Sequence, residues 1–108
     1  MTIITHLTDS SFSFFLEKHE LVVVDIWSEW CFPCKLINPA YEELANKYLD
    51  RISFTKVDAE ACPDFGDQFG ISSLPSFLFF KKGKLFERFI GADEARLRKT
   101  VKKLLKSE

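Results

Sequence analysis

Leu21-Val-Val-Val-Asp-Ile-Trp27 is apolar at odd and even positions alike, with Asp25 its one ionisable residue. Side chains alternate between the faces of a strand, so a run without polar alternation has both faces covered. This segment is expected to be the central strand of a mostly parallel or mixed sheet, with helices packed on both sides.

The other periodicities supply those layers. A short strand is expected near Thr2 to His6, followed by a helix from about Asp9, its cap, in which Phe12, Phe15 and Leu16 share a face. Ile37, Tyr41, Leu44 and Tyr48 fall at helical steps and predict an amphipathic helix over residues 34–49, kinked at Pro39. Ile52 to Asp58 reads as a strand, and a helical or looped segment runs on through about Phe69 to Gly70. Ser76 to Lys81 and Leu85 to Ile90 flank Lys82-Gly83-Lys84, a pattern that predicts an antiparallel hairpin. Asp93 should cap a last helix with Leu97, Val101, Leu104 and Leu105 as its buried stripe. The order βαβαβαββα has no internal repeat or linker, and it predicts a single domain over residues 1–108.

Composition bounds the partners. The chain has 108 residues, 46% of them hydrophobic and 15% aromatic, enough to build a core without cross-links. A formal charge of -1 offers no general attraction to nucleic acid or an anionic bilayer, so neither partner is expected. Met1 to His6 lacks the basic start and apolar stretch of a signal peptide, and a soluble, cytoplasmic protein is expected.

Three cysteines are too few, and too odd a number, for a disulfide framework, but Cys31 and Cys34 lie three positions apart where a strand gives way to a helix. Unpaired N–H groups and the helix dipole favour negative charge at such a junction. Cys31, near the N-cap, should therefore be the more acidic, attacking thiol, with Cys34 one turn deeper to resolve the mixed disulfide. Pro33 suits the first turn, where an N–H is dispensable. Asp25 is the expected proton acceptor for Cys34; burial would raise its pKa, and a nearby Lys56 would oppose the rise.

A zinc half-site at Cys31 and Cys34 lacks a second pair of ligands, and His6 and His19 read as surface or edge residues. Cys62 lies among carboxylates that disfavour a thiolate, so a structural role is expected. Trp27 and most Phe are expected in the core, with Trp30 and Phe32 exposed.

Taken together, Val-Asp25-Ile-Trp27, Trp30-Cys31-Phe-Pro-Cys34-Lys35, Pro39, Leu74-Pro75-Ser76-Phe77, Phe80-Lys-Lys-Gly83 and Gly91-Ala92 resemble the thioredoxin family over nearly the whole chain. The resemblance implies a thioredoxin-like α/β fold, a central mixed sheet of about five strands with about four helices on its two faces. It also implies reduction of protein disulfides, a thioredoxin reductase as electron donor, a monomer, and no metal or cofactor. A cis peptide would precede Pro75, with the Leu74 backbone pairing with an extended substrate, and Trp30, Phe32, Pro33 and Gly91 lining an apolar groove. Phe32 departs from the family, which most often has Gly there; this bears on partner choice and on the potential. A disulfide isomerase or oxidant of the same fold, and a partner-binding subunit with incidental thiols, are the alternatives.

Overall fold

The computed structural model describes residues 3–108. Strand β2 (Leu21–Trp27) lies at the centre of a five-stranded sheet of order β1-β3-β2-β4-β5. On one side are β3 (Ser53–Asp58) and β1 (Thr5–Leu7), parallel to their neighbours, and on the other β4 (Ser76–Lys81) and β5 (Lys84–Ile90), antiparallel to theirs. Among the described residues there are four helices: α1 (Phe12–Lys18), α2 (Phe32–Lys47), α3 (Pro63–Phe69) and α4 (Glu94–Lys106). None of the helices among the described residues is long and apolar enough to cross a membrane.

The strand alternation splits the core in two. Leu21 and Val23 of β2, with Phe77 and Phe79 of β4, pack against Ile37, Tyr41 and Leu44 of α2 and Leu97, Val101 and Leu104 of α4. Val22, Val24 and Ile26, with Leu78 and Phe80, pack against Phe12 and Leu16 of α1 and Phe65 of α3. Both faces of β2 are thus covered, which is why its sequence lacks polar alternation. Asp25 shares the parity of Val23 and so faces α2. Tyr41 ties that helix to the sheet, its hydroxyl donating toward the carbonyl oxygens of Thr55 (2.5 Å) and Val23 (3.1 Å).

Local signals placed most boundaries. Lys82 and Gly83 both have positive φ, 52° and 80°, as a two-residue hairpin connection requires, while Lys84 already belongs to β5. Asp93 caps α4 through a 3.0 Å bond from the Arg96 N–H. Helix α2 starts at Phe32, earlier than expected, and runs on through Pro39.

Asp9 is the main correction. It does not cap α1, whose N-cap is Ser11; its carboxylate instead accepts from the N–H groups of Asp64 (3.1 Å) and Phe65 (2.9 Å) in the first turn of α3. Thr2, proposed as the start of β1, lies outside the described residues.

Candidate active site

Cys31 and Cys34 are joined as a disulfide at the start of α2, with their Cα atoms 5.3 Å apart. Cys31 is the N-cap: its backbone is extended, its N–H donates to Ser28 O at 3.2 Å, and its sulfur accepts the Cys34 N–H at 3.2 Å. One of the helix's free N–H groups is therefore directed at the outer sulfur, which stabilises negative charge there. Cys31 is half-buried, whereas Cys34 is only 5% exposed. Cys31 is thus the outer member of the pair and Cys34 the inner one.

Beside the inner sulfur lies a cleft of about 430 Å³ whose lining includes Asp25, Trp27, Cys34, Asn38, Lys56 and His6. Sheet register explains the grouping. Asp25 of β2 lies opposite Lys56 of β3, and Lys56 lies opposite His6 of β1, so three ionisable residues form a row across parallel strands. Asp25 is 1% exposed, and among the described residues its Oδ1 has no hydrogen-bond partner. Burial raises its pKa from 3.8 to about 7, with the positive charge of Lys56 acting in the opposite direction.

The Lys56 ammonium does not bond Asp25. It donates to the side-chain oxygen of Asn38, which lies one turn beyond Cys34 on α2, and the Asn38 amide nitrogen donates in turn to Glu42 at 3.1 Å. Sequence reasoning missed Asn38; His6, expected as a surface or edge residue, is exposed on edge strand β1 and also lines this cleft. Trp27, expected in the core, is a partial correction, because it is half-buried and lines the cleft, with Nε1 buried and unpartnered among the described residues. Each of these assignments depends on which strand or helix packs opposite, and no local pattern encodes that.

Around the disulfide, Trp30 is 82% exposed and Phe32 68%, a large apolar surface for side chains of this size. The Leu74–Pro75 peptide is cis. Pro75 precedes Ser76, which pairs with Ile26, so it lies at the sheet end from which the chain leaves β2 toward Cys31. Pro75 O accepts the Gly91 N–H at 2.8 Å. Gly91 has φ +108°, a region costly for L-residues, although a Cβ there would meet nothing within 4 Å.

The two remaining singled-out residues have structural surroundings. Cys62 is 2% exposed, directs its sulfur toward Leu7 O at 3.6 Å, and has its thiol pKa pushed up by burial and by nearby Asp9 and Asp58. His19 stacks on Phe15 with ring centroids 3.9 Å apart, and its Nδ1 lies 3.0 Å from Phe15 O near the end of α1.

A family model described as Thioredoxin matches residues 3–103. Thioredoxin H2 of Arabidopsis thaliana is 41% identical over 82% of this chain and 65% of its own length. Thioredoxin-1 of Schizosaccharomyces pombe is 36% identical over 92% of this chain and 96% of its own. The solved structure of Plasmodium falciparum thioredoxin superimposes with a TM-score of 0.88 at 33% identity, over 93% of this chain and 98% of that one. Several curated relatives are longer, and the chain spans 48% to 65% of their length.

Proposed function

Because the chain belongs to the thioredoxin family, we propose that it reduces protein disulfides by thiol-disulfide exchange through Cys31 and Cys34. The observation that carries this reading is the asymmetric pair, with an outer sulfur that accepts a helix N-terminal N–H and an inner sulfur beside a buried carboxyl.

In the reduced protein, the Cys31 thiolate attacks one sulfur of the substrate disulfide, and the other substrate sulfur leaves as a thiolate. Cys34 then loses its proton to the Asp25 carboxylate, directly or through a water in the cleft, and attacks Cys31 Sγ. The bond from Cys31 Sγ to the attacked substrate sulfur breaks, that sulfur departs as a thiolate, the Cys31–Cys34 disulfide forms, and two electrons have passed to the substrate. A pKa of about 7 suits Asp25 to this step, since near neutrality it is partly ionised and still basic enough to take the proton.

Substrate recognition follows from the surroundings. The exposed rings of Trp30 and Phe32, with Pro33 and Gly91, form the apolar groove, and the Leu74 backbone before cis-Pro75 pairs with an extended substrate segment. Phe32 adds apolar contact without a charge or donor, so it tunes partner choice while the pair remains reducing. The same reading treats residues 1–108 as one monomeric thioredoxin domain, cytoplasmic and recharged by a thioredoxin reductase.

The test is insulin reduction with dithiothreitol as donor, together with trapping by Cys34→Ser. The native protein should accelerate insulin precipitation, and the variant should accumulate mixed disulfides through Cys31. No acceleration and no trapped adducts would contradict the reading. Unchanged partner function in a double Cys→Ser variant would favour a binding subunit instead.

A further inference from the structure

Asp25 and Lys56 lie opposite one another across β2 and β3, an arrangement that ordinarily brings a carboxylate and an ammonium together. Among the described residues no ion pair joins them; the ammonium bonds Asn38, and Asp25 Oδ1 is left without a partner. We propose that Asn38 is a positioning residue whose side-chain oxygen holds the Lys56 ammonium on the α2 side of the cleft, away from the Asp25 carboxyl.

The sequence of α2 makes the arrangement possible. Asn38 follows Cys34 by four positions, so both project from one face of the helix into the same cleft. Its amide is oriented from both ends: the oxygen meets the Lys56 ammonium, and the nitrogen meets the Glu42 carboxylate. An amide between a cation and an anion has one favourable orientation, because only its oxygen accepts and only its nitrogen donates. Asn38 thus fixes Lys56 by a charge-assisted bond and is itself fixed by Glu42.

The consequence falls on the proton acceptor, and in this respect the inference rests on the exchange mechanism proposed above. The charged and titratable groups around Asp25 are His6 from β1, Lys56 from β3, Glu29 from the loop after β2, and Lys35, Tyr41 and Glu42 from α2. Lys56 is the cation in register with Asp25, and it is the one whose approach would most favour the ionised carboxyl. Held at Asn38, it leaves Asp25 basic enough to deprotonate Cys34. Paired with Asp25, it would hold the carboxylate ionised but make it a poorer base.

The experiment follows the Asp25 carboxyl carbon by NMR through a pH titration of the oxidised full chain, where no turnover is involved. Asn38→Leu removes the acceptor at similar size, and the titration midpoint should fall by about one pH unit as Lys56 reaches Asp25. In the Lys56→Met background, whose midpoint lies higher because the cation is gone, adding Asn38→Leu should leave the midpoint unmoved. In single-turnover resolution of a mixed disulfide, the pH profile of Asn38→Leu should move to lower pH by the same amount, which a merely structural residue would not cause. An unmoved or raised midpoint in Asn38→Leu, or an equal fall without Lys56, would overturn the proposal. Because the titration does not depend on catalysis, a native protein inactive toward insulin would count against the proposed function and leave the carboxyl result standing.

Discussion

Asp9, in the loop after β1, accepts the N–H of Phe65 at 2.9 Å and that of Asp64 at 3.1 Å, closing the start of a helix more than 50 residues further along the chain. The contact fastens α3 to the β1 side of the sheet, next to the buried Cys62. Asp9→Ala leaves two N–H groups of the first turn without their carboxylate. It should lower stability by about 1 kcal/mol, seen as a fall in the urea midpoint with an unchanged slope. Insulin reduction by the folded variant should be unaffected, and Asp9→Asn should recover most of the loss.

Asp9 also marks the boundary of what the sequence discloses. An acid ahead of an apolar periodic run signals a cap, and the signal was correct in kind but misassigned, because the N–H groups it satisfies belong to a distant helix. Features written in local periodicity were legible: the doubly covered β2, the Lys82-Gly83 hairpin, the Asp93 cap, and Cys31 and Cys34 at a strand-to-helix junction. The row Asp25, Lys56 and His6 was only partly legible, since it arises from the β1-β3-β2 register, which no short window contains. Asn38 was invisible for the same reason. On its own helix it is an ordinary polar residue, and it gains a role only from the lysine that β3 presents to it.

The buried Asp25 makes stability depend on pH in a definite direction. Its folded pKa of about 7 lies above the ordinary 3.8, so between these values the native state binds the proton that the unfolded chain releases. Stability should therefore fall as pH rises from about 4 to about 7 and level off above, by up to about 4 kcal/mol at ~1.36 kcal/mol per unit. Asp25→Asn carries no such charge. Urea unfolding should find it more stable than the native protein at pH 8, with the advantage disappearing near pH 4.

The same carboxyl should control the second chemical step. With a stable mixed disulfide on Cys31 and rapid mixing, resolution by Cys34 should speed up as pH rises through about 7, where Asp25 ionises. Asp25→Asn should lose that inflection and resolve about a hundredfold more slowly at neutral pH. The initial attack by Cys31 should change much less, since the helix N-terminus and not the carboxyl serves the outer sulfur.

The central claim is that the outer sulfur is the acidic, attacking one, and alkylation of the reduced protein tests it most directly. Iodoacetamide rates measured across a pH series, with the labelled site mapped, should show Cys31 reacting with a midpoint below the ~8.5 of an ordinary thiol while Cys34 stays unlabelled. A Cys31 that reacts no faster than a simple thiol at neutral pH, or a label found first on Cys34, would contradict the account.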